Sequence, residues 1–132
     1  MDYSVGNYKY WTAKVFFNQE YLGRCIVSCK RENAEDLTDA TLEEREELFE
    51  ILTQLKNAIK KSFSNDWINY SFLGNSWRHL HCHVVPRYQS PRDFEGMTFV
   101  DKRWGHNWLL DEKFETPVKI LDAVRNTIQK NL

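Results

Sequence analysis

Apolar and polar residues alternate along residues 10–17, where Trp11, Ala13, Val15 and Phe17 share one face of an extended chain. Asn18-Gln19-Glu20 then reads as a turn, and residues 24–29 as the returning second strand. The period changes after residue 40. Thr41-Leu42-Glu43-Glu44 has the form of a capping box, whose hydroxyl and carboxylate satisfy orphan amides at a helix start. Leu48, Ile51, Leu52, Leu55, Ile59 and Phe63 follow at helical spacing and make one apolar stripe. Glu43 and Glu44 near the start, with Lys60 and Lys61 near the end, complement the helix dipole. Residues 67–73 and 78–86 return to strand character, separated by a turn at Gly74-Asn75-Ser76. Residues 88–114 lack a clear period and predict a long loop over or beside a site. Thr116 predicts the cap of a last helix, with Pro117 at its first position and Ile120, Leu121, Val124 and Ile128 on its apolar face. The order of elements predicts an α+β chain with an antiparallel sheet.

The fourth predicted strand carries unusual polar positions. His79, His81 and His83 alternate with Leu80, Cys82 and Val84, so an extended chain puts all three imidazoles on one face. They would stand about 6.5–7 Å apart and spread over about 13 Å. Three titratable rings buried together would be desolvated and would repel when charged, so the row reads as a working surface. A metal site would have to recruit His106 or a cysteine, because the outer rings lie too far apart to meet on one tetrahedral ion. A pH-responsive or plain surface strip is the second reading. The third is attack by one imidazole on phosphorus while its neighbours hold phosphate oxygens and the leaving group. Cys82, opposite the histidines, reads as core packing.

Residues 79–85 resemble the signature of the histidine triad (HIT) family of nucleotide hydrolases and transferases, His-φ-His-φ-His-φ-φ with φ apolar. Gly74-Asn75-Ser76 lies where family members carry Gly-Gln-Ser or Gly-Gln-Thr, and Val85-Pro86-Arg87 continues the motif as the family often does. Residues 22–31 are similar to the family's Gly-His-φ-φ-φ-x-Pro-Lys-Arg strand, and the resemblance covers roughly residues 10–90. The departures are Asn75 for the usual glutamine, Arg24 for a common histidine and Cys29 for a common proline. His83 stands where the uridylyltransferase branch has glutamine, which favours hydrolysis over obligate nucleotidyl transfer.

The resemblance implies a HIT-like fold, an antiparallel sheet of about five strands with two main helices in one domain spanning residues 1–132. It implies that His81 is the nucleophile on the α-phosphorus of a nucleotide, forming a nucleotidyl-histidine that water resolves. His79 and His83 then contact phosphate oxygens and the leaving group, or orient His81. Ser76 and Asn75 become phosphate donors rather than plain turn residues, and Asn18 a ribose contact rather than a turn asparagine. Tyr10, Trp11, Trp104 and Trp108 are candidates for a base pocket or for core. The substrate class implied is a dinucleoside polyphosphate such as diadenosine tetraphosphate. Phosphoramidate cleavage, phosphorolysis and a regulatory nucleotide-binding module are the alternatives. The family's dimers imply a homodimer.

Composition narrows the field further. The 132 residues suit one domain able to bury about two-thirds of its unfolded surface. With 42% hydrophobic and 28% charged residues the make-up is ordinary, and a net charge of −1 offers no field for a nucleic-acid backbone. From Arg78 to Arg103 five cations stand against three anions, a mild positive zone suited to an anionic small molecule; Arg92, Lys102 and Arg103 are candidates for distal phosphates. Residues 1–9 are polar, with no leader-like apolar stretch, and no segment is long enough to span a membrane. Three cysteines, odd in number, predict reduced thiols and a cytoplasmic protein. No protein-bound cofactor is expected, although Mg²⁺ can accompany a polyphosphate substrate.

Overall fold

The alternation around Trp11 becomes strand β2 (Trp11–Val15) in the computed structural model, which describes residues 3–132. Trp11, Ala13 and Val15 are buried as the pattern requires. The strand stops short of Phe17, which is 66% exposed. A loop begins at Phe16, whose N–H bonds the carbonyl of Arg24. The Gln19 amide fills this loop, donating to the carbonyls of Phe16 and Arg24 and accepting from Gly23 N–H. Gly23 adopts φ +90°, and a Cβ there would come within 2.9 Å of the Phe63 ring. The chain returns as β3 (Cys25–Cys29).

Before these lies β1 (Ser4–Asn7), an edge strand that the polar pattern did not predict because only Val5 among its residues is buried. Helix α1 (Leu42–Phe63) starts at the capping box as expected: Thr41 Oγ1 accepts from Glu44 N–H at 3.1 Å and the Glu44 carboxylate accepts from Thr41 N–H at 2.9 Å. Glu44 is buried and takes two N–H donors from Arg31, whose hydrogen bonds hold its carboxyl down to about 2. The stripe from Leu48 to Phe63 faces the core.

Strands β4 (Trp67–Ser71) and β5 (His81–Arg87) complete a five-stranded antiparallel sheet in the order β1-β2-β3-β5-β4. Both are shorter at the turn between them than the pattern predicts. Residues 88–114 are not wholly irregular. They open with a hairpin, β6 (Arg92–Phe94) and β7 (Met97–Phe99), turned by Glu95 and Gly96 at φ 51° and 78°. Helix α2 (Val118–Asn131) buries Ile120, Leu121, Val124 and Ile128 against α1, β1 and β2. Pro117, not Thr116, is its N-cap residue, because the Thr116 hydroxyl accepts from Gln19 N–H instead. Two helices and an antiparallel five-stranded sheet make an α+β fold. Among the described residues no helix is long and apolar enough to cross a membrane.

Candidate functional site

The pleat of β5 divides its side chains cleanly. Cys82 and Val84 point into the core, and burial pushes the Cys82 thiol up to about 12, consistent with a packing role. His81 and His83 share the other face, their ring centroids 5.1 Å apart and nearly perpendicular.

His79 does not extend this row. A three-residue turn, closed by His79 N–H on the Trp77 carbonyl at 2.9 Å, takes residue 79 out of the strand, and Leu80 N–H bonds the carbonyl of Ala34. The His79 ring reaches back, and its Nε2 donates to the Cys29 carbonyl at 2.6 Å. Trp77 stacks on both rings, 5.0 Å from His79 and 4.7 Å from His81. The expected ladder of three evenly spaced imidazoles is therefore a close pair plus an outlier bridged by an indole.

Hydrogen bonds fix the protons of the pair. His81 Nδ1 bonds the backbone carbonyl of His79. A carbonyl only accepts, so Nδ1 carries the hydrogen and, in the neutral ring, Nε2 keeps its lone pair. His83 Nδ1 lies 3.2 Å from Nη2 of Arg24, which only donates, so neutral His83 has the opposite tautomer, with hydrogen on Nε2. Burial, the Arg24 charge and His81 lower the His83 pKa to about 4.

A cavity of about 330 Å³ gathers His81, His83, Arg24, Asn75 and Ser76. Asn75 and Ser76 are exposed on its rim, in the turn that sequence reading singled out. Asn18 is elsewhere: it is 2% exposed, its Nδ2 donates to the Asp111 carbonyl and its Oδ1 accepts from Glu20 N–H. Its observed work is to fasten the segment after β7. Tyr21 hydroxyl, bonded to both N–H and carbonyl of Leu109, fastens the same segment. So does the buried ion pair of Arg87 with Asp101 at 2.7 Å, together with Arg87 on the His106 carbonyl. This anchoring delivers Trp108 to the site, where it lies over Arg24 and donates to Ser71 Oγ at 2.8 Å.

A larger cavity, about 780 Å³, adjoins the first, sharing Leu73, Trp108 and Leu110 and reaching Trp104. Of the aromatic candidates, Trp104 and Trp108 therefore line cavities, whereas Trp11 is core and donates its indole N–H to the Glu44 carbonyl. The positive zone is less free than its charge count suggests. Arg92 bonds Asp66 and the Phe63 and Ser64 carbonyls, and Arg103 bonds Asn107, so both contribute to structure. Among the described residues no three His, Cys, Asp or Glu side chains converge for a metal ion. Phe16 and Trp77 line the smaller cavity although no motif marks them. Arg24 showed only as a departure from the motif.

The HIT domain family model matches residues 18–90. A histidine triad protein from Sinorhizobium meliloti superimposes with a TM-score of 0.82 at 19% identity, covering 99% of this chain and 90% of its own. A hypothetical histidine triad nucleotide-binding protein from Sulfolobus tokodaii gives 0.77 at 16% identity, over 99% and 83%. A Hit-like protein involved in cell-cycle regulation from Bartonella henselae gives 0.74 at 21%, over 100% and 88%. No curated protein matches the chain.

Proposed function

The chain belongs to the HIT domain family, and from that premise we propose that it is a nucleotide hydrolase cleaving the phosphoanhydride bond of dinucleoside polyphosphates. One observation carries the proposal: the His79 carbonyl on His81 Nδ1 leaves a lone pair on Nε2, at the wall of a cavity with polar donors on its rim.

His81 Nε2 attacks the α-phosphorus and forms a nucleotidyl-histidine, which water then resolves by a second in-line displacement. The His79 carbonyl stabilises the positive charge that develops on the His81 ring, through the N–H it already accepts. Ser76 and Asn75 donate to the phosphate oxygens from the turn. His83 presents its Nε2–H to the bridging oxygen. The His79 side chain, held by the Cys29 carbonyl and stacked on Trp77, supports the geometry rather than touching phosphate. Asn18 fits this reading as a residue that holds the Trp108 segment in place, not as a ribose contact.

Nucleotide binding and a homodimer belong to the same proposal and rest on the family resemblance; a cytoplasmic setting belongs to it too and rests on the three unpaired cysteines. Mg²⁺ accompanies the substrate's phosphates and needs no protein ligand. Incubation with a panel of dinucleoside polyphosphates, with rapid quench in alkaline denaturant, where a histidine N–P bond survives, and peptide mass spectrometry, tests the reading. A nucleotide adduct on His81 and mononucleotide products support it; hydrolysis without any adduct on His81 overturns it.

A further inference from the structure

A fixed cation lies behind the third histidine. Arg24 is 1% exposed, its guanidinium carbon 4.1 Å from the Phe16 ring centroid and 4.5 Å from that of Trp108. Nη2 donates to His83 Nδ1, while Nε and Nη1 are buried with no hydrogen-bond partner. Burial lowers its pKa only to about 10, so it is charged at neutral pH. A guanidinium has donors and no acceptor. A proton on His83 Nδ1 would therefore face another donor. The groups around His83 are Arg24, His81, Phe16 and Trp108, none of them an anion that would favour an imidazolium.

This has a chemical consequence. To act as a general acid, His83 would first have to become an imidazolium beside a guanidinium, or be resupplied with a proton through Nδ1. Arg24 opposes both. Neutral His83 can donate a hydrogen bond from Nε2 but is far too weak an acid to give the proton away. We infer that Arg24, acting through His83, restricts this site to leaving groups that depart as anions, phosphates and carboxylates, and selects against amines and alcohols, which must be protonated to leave. The inference rests on the nucleotidyl-His81 reading above and refines its substrate class.

The step balances without an acid. The His81 Nε2 lone pair forms the N–P bond, the P–O bond to the bridging oxygen breaks, and its electron pair leaves on that oxygen. The oxygen departs as an anion, hydrogen-bonded by His83 Nε2–H and attracted by the Arg24 charge. The His81 ring becomes positively charged, its Nδ1–H still on the His79 carbonyl. Water oxygen then bonds phosphorus, the P–N pair returns to Nε2, and the surplus water proton passes to solvent.

The experiment compares kcat/KM for matched adenylates differing only in leaving group: diadenosine tetraphosphate, adenosine 5′-(4-nitrophenyl phosphate), and an N-alkyl adenosine phosphoramidate. The wild-type protein is expected to favour the first two over the phosphoramidate by about a hundredfold or more, the low end of what general acid catalysis supplies. Arg24→His, which offers an acceptor and a relay, should reduce that preference at least tenfold, whereas Arg24→Lys should retain it. Nitrogen-15 histidine spectra give a readout free of turnover and need no variant. His83 should show a protonated Nε2 and a bare Nδ1 from pH 7 down to about 5. Equal turnover of phosphoramidate and anhydride by the wild type, or an imidazolium His83 at pH 6, overturns the inference while leaving the nucleotidyl-His81 reading intact. Absence of any His81 adduct with all three substrates instead removes that earlier reading.

Discussion

Trp77 lies on His81 with 4.7 Å between ring centroids and 29° between planes, while half of Trp77 itself remains exposed. One side of the His81 ring is thereby covered by a residue from the turn, and its Nδ1 edge is held by the His79 carbonyl. Little rotational freedom is left to the ring. Such restriction matters because displacement at phosphorus needs the attacking lone pair aligned before reaction.

His81→Asn should remove almost all turnover and leave nucleotide affinity largely intact, because chemistry needs the imidazole nitrogen while ground-state binding rests on surrounding donors. Steady-state rates together with calorimetric titration of a non-hydrolysable analogue check this. A variant retaining a tenth of the wild-type rate, about 1.4 kcal/mol lost, would exclude covalent catalysis by His81.

Ser76→Ala should lower kcat tenfold or more if its hydroxyl donates to charge developing on phosphorus, typical of losing one such donor. Ser76 is exposed, so folding should be unaffected. A change below twofold in kcat would return Gly74-Asn75-Ser76 to the standing of an ordinary turn.

Products of diadenosine tetraphosphate should form equally well with and without inorganic phosphate. Arg92 and Arg103, two of the three cations available to hold an anionic acceptor, are engaged by Asp66, Asn107 and backbone carbonyls. Chromatography of the products with labelled phosphate present is decisive. Label in a nucleoside diphosphate would make the protein a phosphorylase.

Stability should fall on acidification from about pH 6.5 towards 4. Folded His83 has its pKa lowered to about 4 by burial first and the Arg24 and His81 charges next. An unfolded histidine takes up its proton near pH 6.5, so below that the unfolded state binds more protons and gains. Glu44 acts in the same direction lower down: its carboxyl, held to about 2 mainly by Arg31, contributes stability that is lost below the unfolded value near 4.5. Urea midpoints measured from pH 7 to pH 4.5 should decline, and His83→Gln should flatten the decline. An unchanged slope in that variant would place the protonation elsewhere.

Much of this arrangement was legible in the chain. The capping box at Thr41 and the stripe from Leu48 to Phe63 appear as read, because local hydrogen bonding and helical period decide them. The pairing of His81 with His83 and the inward Cys82 follow from strand alternation alone. What escaped depends on partners distant in sequence. His79 leaves the row because Ala34 and Cys29, from a different part of the chain, take its neighbour's N–H and its own ring. The partner of the Asn18 amide is not legible in sequence, because turn chemistry and ligand chemistry use the same group, and the Asp111 carbonyl that it meets lies 93 residues away. The hairpin at Glu95-Gly96 was hidden by strands too short to establish a period. Trp108 reaches Arg24 only because Tyr21, Asn18 and Arg87 pin the segment bearing it.

The acceptor on His81 Nδ1 belongs to the main chain. The orienting partner of the His81 ring is therefore written into a backbone turn and not into any side chain. Replacing His79 by another residue removes an imidazole and a stack on Trp77 but cannot delete the oxygen. A substitution that respected the turn would leave the His81 tautomer unchanged, whatever occupied position 79. One that straightened residues 77–79, a proline at 79 for instance, would lose the N–H that closes the turn and free the His81 ring with every histidine of the pair still present.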